Sequence, residues 1–183
     1  AAAAAKCIGA TYHCLDERDV NVFFDKSTNR KAIDLFRKVA PSLVFTHPRR
    51  DYMLDHEQVH LLARSATFSY PVPNASSLSL CAGSAIPWLY YCDPVEGKDP
   101  YSTEPVRPTA LVDISNAMAR KVDMLACHAS QREWLRSHHG MDEYIEAKQH
   151  VGPKWRINFK QAKGWFFKYF PDDKLLTEVT DID

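Results

Sequence analysis

Short apolar runs alternate with helix-length segments along this sequence, and this alternation limits the fold more than any other feature. The run SLVFTH at 42–47 is apolar and partly β-branched, which is typical of a buried parallel strand. WLYYCD at 88–93 and TALVDIS at 109–115 predict further strands, and ATYHCLDERD at 10–19 predicts a short one. Such strands separated by helices of about ten to fifteen residues indicate βαβ units. We therefore predict an α/β fold, a Rossmann-like three-layer sandwich with a mostly parallel sheet.

The helix predicted within 25–41 has clear start and stop signals. Ser27 or Thr28 is its predicted cap, and Pro41 stops it. Its inward positions recur at helical spacing: Ile33, Phe36 and Val39.

A second helix is predicted from Asp55 to Phe68. Asp55 fits as its N-cap, with Gln58 three residues later as in a capping box. Further along, Ser115 is the predicted cap of a helix that breaks near Ser130 and ends at Gly140. Another helix is predicted at 141–151. The alanine-rich start of the chain predicts one more, which ends at Gly9.

The composition excludes several classes of protein. Lys plus Arg and Asp plus Glu are 23 each, so the balance of charge gives no case for binding nucleic acid. No apolar run approaches the length of a membrane span. The five cysteines are scattered without a C-x-x-C pair, which favours reduced, mostly buried thiols and a cytoplasmic location.

The peptide HEQVH at 56–60 matches the metallopeptidase pattern H-E-x-x-H. In a peptidase both histidines lie mid-helix and point to one zinc ion. Here His56 falls in the first helical turn, and the next glutamate after His60 is the distant Glu96. We keep a peptidase as an alternative, weaker interpretation.

A family resemblance rests on two blocks. PSLVFTHPRRDYMLDHEQVH (41–60) resembles the second signature of the LmbE-like, or PIG-L, zinc-dependent de-N-acetylases, which ends in His-Pro-Asp-His. VDISNAMARKVDMLACHASQREWL (112–135) is similar to a later strand-helix segment of that family. The resemblance implies one deacetylase domain over 1–183 that begins after the first strand. The missing signature, Ala-His-Pro-Asp-Asp-Glu, would supply two more zinc ligands and the general base.

Three residues take roles from this resemblance. It implies that His56 is a zinc ligand and that Asp55 is the supporting carboxylate. Met53 occupies the position of a histidine that stabilises the oxyanion. A thioether cannot donate a hydrogen bond, so a neighbour such as Tyr52 or His128 would have to replace that donor.

The resemblance also implies a function. It is zinc-dependent hydrolytic removal of the acetyl group from an N-acetylglucosamine-type conjugate, in a homo-oligomeric enzyme. The alternative within the family is a weak or inactive member that only binds a sugar. His47, at the end of a predicted strand, is a candidate for lining the cleft. Arg49 and Arg50 are candidates for contacting a sugar or phosphate, and His60 has no assigned role.

Overall fold

The computed structural model describes residues 1–81, 83–94, 97–102, 104–107, 110, 112 and 114–139, and the backbone of 166–168. In chain order the elements are α1 (Ala2–Cys7), α2 (Lys26–Val39), β1 (Leu43–Thr46), α3 (Leu54–Ser69), β2 (Trp88–Cys92), α4 (Met118–Ala126), α5 (Ala129–His139) and β3 (Phe166–Lys168). They fall into two compact units, one of 14–111 with 165–182 and the other of 1–13 with 112–164 and residue 183.

The sheet in the first of these units has the strand order β1-β2-β3. β1 and β2 are parallel, with Leu43 opposite Trp88 and Thr46 opposite Tyr91, while β3 is antiparallel to β2. The predicted α/β class is therefore confirmed, as are the strands at 42–47 and 88–93. The strand predicted at 10–19 is wrong, because those residues form irregular structure and turns.

β1 was predicted to be buried on both faces, and this is wrong for one face. Leu43 and Phe45 are 39% and 44% exposed, whereas Thr46 is buried. Alternate side chains of a strand point to opposite faces, so Leu43 and Phe45 share the more open one. Phe45 contacts Tyr90 of β2, with ring centroids 5.6 Å apart.

α2 and α3 pack on each other through a small apolar core. Its buried members are Ala32, Ile33, Leu62, Ala66 and Tyr70. The prediction of inward Ile33 is confirmed, but Val39 is 51% exposed because it lies in the last turn, beyond this contact. The cap of α2 is Asp25 and not Ser27 or Thr28, since Asp25 Oδ1 accepts the Thr28 N–H at 2.8 Å.

Arg37 is the unexpected member of the inward face of α2. Its side chain is buried, at 4% exposure, one turn after Ile33. Its guanidinium donates to the backbone carbonyls of the segment that follows α3: Tyr70, Val72, Pro73, Ser76 and Leu78. The cation thus organises the chain as it leaves α3. These carbonyls explain how it is buried with no carboxylate of the described residues on the guanidinium.

α3 begins at Leu54, one residue earlier than predicted, and its N-cap is Met53, with no side-chain cap. The predicted capping box is wrong because both side chains serve the segment before α2 instead. Asp55 Oδ1 accepts the Val22 N–H at 3.3 Å, and Gln58 Oε1 accepts the Phe24 N–H at 2.7 Å. The start of α3 is thereby fastened to the chain entering α2.

In the other unit, α1 packs against α4. The predicted helix after Ser115 is divided at Cys127–His128, and Ser115 begins a 3-10 turn without capping α4. No cysteine is buried, contrary to prediction, because Cys7, Cys14 and Cys81 are exposed and Cys92 and Cys127 are half-buried. The helix predicted at 141–151 lies outside the described residues, as do parts of the strand predicted at 109–115. Within the described part of the chain, no helix is both long and apolar enough to cross a membrane.

Candidate metal centre

The loop from His47 to Met53 joins the carboxyl end of β1 to α3, the edge where parallel α/β sheets carry their reactive groups. His47 begins this loop, Asp51 lies within it, and His56 lies in the first turn of α3. Ligand-type atoms of these three residues lie within 4.8 Å of one another. Among the residues that the structure describes, this is the cluster suited to hold a metal ion.

Asp51 organises the cluster from a buried position, at 6% exposure. Its Oδ1 accepts the backbone N–H of Met53 at 3.0 Å and contacts Nδ1 of His56 at 2.9 Å. An ionised carboxylate only accepts hydrogen bonds, so Nδ1–H of His56 is the donor. The lone pair of His56 is then on Nε2, the atom left for a metal. A carboxylate on the other ring nitrogen is the usual support of a ligating histidine.

The backbone of the loop is also held at Asp51. The Asp51 N–H donates to Oε1 of Glu57 at 3.0 Å, and the same oxygen accepts the Tyr101 O–H at 2.9 Å. This hydrogen bond from Tyr101 raises the pKa of the Tyr101 phenol. Glu57 therefore holds the loop, which gives it a structural task in place of the general-base role of a peptidase.

The rings of His47 and His56 are stacked, with centroids 4.0 Å apart and planes 9° from parallel. A ligating imidazole keeps its metal close to the ring plane, at about 2.0–2.1 Å for zinc. The stacked rings would therefore not both ligate one ion as they stand. His56 Nε2 would supply a metal bond, and His47 would have to rotate to supply another.

His47 is half-buried against this stack. Desolvation lowers its pKa, the positive form of His56 lowers it further, and Asp51 opposes both. A neutral His47 packs on His56 without charge repulsion. The ring is placed to limit the rotation of His56 and to shield one of its faces.

His60 lies one turn after His56 and is buried, at 2% exposure. Its Nδ1–H donates to the backbone carbonyl of His47 at 3.3 Å, and its ring packs on Tyr91 at 4.6 Å. Burial lowers its pKa. This is the environment of a neutral core histidine, and it does not match the paired zinc ligands of H-E-x-x-H.

Of the two predicted catalytic residues, Tyr52 lies in the loop before α3 and Asp55 lies in the first turn of α3. Tyr52 is 65% exposed and presents its ring at 85° to that of His56, 5.7 Å away. Asp55 accepts the Val22 N–H, and the carboxylate that contacts the His56 ring is Asp51. The catalytic roles assigned to Tyr52 and Asp55, and the metal role of His56, stay predictions.

Asp51 is the residue that sequence reasoning missed. The sequence did contain a signal, because an aspartate in a loop commonly accepts the backbone N–H two residues further on. That signal shows where the carboxylate is anchored, but the contact with His56 depends on the path of the whole loop.

Comparison with known proteins agrees with the resemblance seen in the sequence. No family model matches the chain. The curated 4-oxalmesaconate hydratase of Pseudomonas putida is 27% identical over 170 residues, which is 90% of this chain and 62% of that protein. The chain thus spans less than two thirds of that relative.

Solved structures give the same fold. GalB, the 4-carboxy-2-hydroxymuconate hydratase of Pseudomonas putida KT2440, is similar at a TM-score of 0.64 and 23% identity, over 93% of this chain and 69% of its own. The conserved protein TT1542 of Thermus thermophilus gives 0.65 and 20%, over 93% and 71%. The N,N'-diacetylchitobiose deacetylase of Pyrococcus horikoshii gives 0.63 and 18%, over 98% and 64%.

These similarities identify the fold of the chain. It has the LmbE-like α/β fold, which confirms the predicted resemblance at the level of the fold. Proteins of this fold include a hydrolase that removes acetyl groups and hydratases that add water to their substrates.

Proposed function

We propose that this chain is part of a metal-dependent enzyme that removes the N-acetyl group from an N-acetylglucosamine-type conjugate. The observation that carries the proposal is the His56 ring, whose Nδ1–H is bound by buried Asp51 while Nε2 is left for a metal. The similarity in fold to the chitobiose deacetylase supports the choice of substrate.

The residues of this chain have defined tasks in the proposed enzyme. His56 is one metal ligand, Asp51 fixes its orientation and His47 stacks on it. When bound, a divalent metal such as zinc supplies Lewis acidity, which polarises a carbonyl and eases deprotonation of water. A catalytic zinc site takes three protein ligands, so we propose that further ligands and the general base come from other residues of the whole protein.

Tyr52 is the proposed oxyanion donor, since Met53 cannot donate from its side chain. Its O–H is carried on an exposed ring beside His56, where a substrate carbonyl has access. We expect Tyr52→Phe to lower kcat by roughly 100- to 1,000-fold with metal content unchanged, the usual effect of losing one oxyanion donor. Exposed Tyr12→Phe, in the other unit, is the control.

Metal content tests the central ligand. We expect the full-length protein to be purified with bound metal, and His56→Ala to lose it. His60→Ala is the matched comparison. Metal loss in His60→Ala, with a folded protein by circular dichroism, would support the peptidase and contradict this proposal.

Hydration of an unsaturated acid is the second candidate, and the 27% identity to 4-oxalmesaconate hydratase favours it. The two functions both use water as a reactant but differ in product. Acetate release from N,N'-diacetylchitobiose measures the first, and loss of the ultraviolet absorbance of 4-oxalmesaconate measures the second. Metal-containing protein without either activity would favour a family member that only binds its ligand.

We also propose a small amino-sugar conjugate as the substrate, a homo-oligomeric enzyme and a cytoplasmic location. Size-exclusion chromatography with light scattering on the full-length protein measures the oligomeric state directly.

A further inference from the structure

A cavity of about 260 Å³ lies between the β1–α3 loop and the chain after β2. Arg49 and Arg50 line it from the first side and Asp99 from the second, with Tyr91 and Val106 as its less polar wall. Two guanidinium groups face one carboxylate, so the lining carries a net positive charge. Its volume suits a small acid or one substituent of a larger ligand.

Arg50 is held in place on the cavity wall. Its Nη1 donates to Asp99 Oδ2 at 3.0 Å, and its guanidinium lies 5.7 Å from the ring centre of Tyr101. Asp99 Oδ1 accepts the N–H groups of Tyr101 and Ser102, and the first of these is the main cause of the lowered pKa of Asp99. Arg50 keeps further N–H donors that this ion pair does not use.

Arg49 has no hydrogen bond or ion pair with any other residue that the structure describes, although it lines the same cavity. Guanidinium groups bind planar carboxylates in bidentate fashion. Arg49, next to the fixed guanidinium of Arg50, is therefore suited to bind the carboxylate of a ligand.

The cavity is linked to the candidate metal centre by short connections. Arg50 is next to Asp51 in the sequence. The ring of Tyr101, which the Arg50 guanidinium covers, carries the O–H that donates to Glu57 Oε1, and the same oxygen accepts the Asp51 N–H. The hydrogen bonds that position Asp51 therefore also position this wall of the cavity. A ligand group held there would lie against the same β1–α3 loop that carries Asp51.

We propose that Arg49 and Arg50 form a binding site for a carboxylate of the substrate. The inference rests on the proposed function, because it narrows the substrate of that enzyme to amino-sugar conjugates that also carry a carboxylate. The site is separate from the metal bond of His56, so its failure and the failure of the proposed function are distinguishable.

Fluorine NMR of fluorobenzoate and of its neutral analogue fluorobenzamide tests this site in the full-length protein. We expect fluorobenzoate to bind in a salt-dependent way and fluorobenzamide not to bind. Arg49→Gln should weaken binding by about tenfold or more, with unchanged metal content and melting temperature. Arg30→Gln, an exposed arginine of α2 outside the cavity, is the matched control.

The outcomes separate the explanations. Equal binding of the acid and the amide, or equal weakening by Arg30→Gln, would overturn the proposal. So would binding that persists in Arg49→Gln but disappears when the metal is removed, because the carboxylate would then be on the metal. If Arg50→Gln unfolds through loss of its Asp99 partner, Arg49→Gln alone still decides the question. Metal loss in His56→Ala is measured separately and bears only on the proposed function.

A second inference comes from the other unit, where Cys7 of α1 and Cys127 after α4 lie with their sulfur atoms 3.6 Å apart. Cys7 is exposed and Cys127 half-buried, so a small oxidant has access to the pair. A disulfide needs the sulfurs to approach to about 2.05 Å, a small movement for two side chains at helix ends.

We infer that Cys7 and Cys127 form a reversible disulfide under peroxide. Hydrogen peroxide oxidises one thiol to a sulfenic acid with release of water. The other thiol then attacks that sulfur, the S–S bond forms, the S–O bond breaks and a second water leaves. Two thiols are oxidised and one peroxide is reduced.

Peptide mapping after peroxide treatment and alkylation tests the inference. We expect one reducible cross-link joining Cys7 to Cys127, lost in Cys7→Ser and in Cys127→Ser and retained in Cys14→Ser, an exposed control. Oxidation that falls first on Cys14 or Cys81, or cross-links only between chains on a non-reducing gel, would overturn it.

Discussion

Asp51 determines the geometry of the candidate metal centre, because one oxygen of its carboxylate binds both the backbone of Met53 and the ring of His56. His56 was singled out from the sequence as a candidate ligand by its place in a recognisable block. Asp51 was not, because its role depends on how the loop folds. The loop brings the Asp51 carboxylate onto His56, five residues further along, in the first turn of α3. Short motifs identify ligands more readily than they identify the carboxylates that orient them.

Asp51→Asn should weaken metal binding by roughly 10- to 100-fold, the usual effect of removing a support of this kind. Its amide oxygen still accepts hydrogen bonds, so the loop is retained while the charge is lost. Competition with a chelator measures the affinity. Asp55→Asn is the control, and an equal loss of affinity there would show that Asp55 is the supporting carboxylate after all.

Asp93 follows β2 and has a buried Oδ1 without a hydrogen-bond partner among the described residues. Burial raises its pKa to about 6 from an ordinary value of 3.8. Because the folded state binds this proton more tightly than the unfolded state, stability falls as pH rises through the interval between these two values and stays lower above it. Asp93→Asn should therefore raise the melting temperature at pH 7 and flatten this part of the pH profile. An unchanged profile in the variant would refute the assignment.

α2 shows what an amphipathic pattern does and does not predict. Its existence, its end before Pro41 and inward Ile33 were predicted correctly from the sequence. Its cap and its buried Arg37 were not, because several residue types compete for a cap and an arginine is ordinarily placed outside. The same limit applies to β1, where periodicity predicted a strand but could not show that one face stays open.

Arg37→Met should lower the free energy of unfolding by about 3 kcal/mol or more, because several buried carbonyls lose their donor at once. Urea denaturation measures the change. Lys38→Met, at the next and exposed position, should stay within about 0.5 kcal/mol. Similar losses in both variants would mean that Arg37 does not organise the segment after α3.

The fold of the chain supports more than one water-using chemistry. Its α/β class followed from the alternation of strands and helices, and its resemblance to LmbE-like proteins followed from the block at 41–60. The sequence could not separate deacetylation from hydration, because a deacetylase and a hydratase both have this fold. The distinction depends on the side chains that surround the substrate.

Removal of metal should lower the melting temperature of the full-length protein, since an ion that binds only the folded state stabilises it. We expect a chelator to produce this shift in the wild type and in His60→Ala measured against its own baseline. It should produce none in His56→Ala. A shift of equal size in His56→Ala would place the ion elsewhere.

The oxygen shared by the Met53 N–H and the His56 ring has a practical consequence. A ligand that draws electron density from that imidazole also changes the strength of the hydrogen bond from the Met53 N–H to the same oxygen. The amide NMR signal of Met53 therefore reports whether His56 has bound a ligand. Its chemical shift would follow a titration with metal or inhibitor before any substrate has been identified.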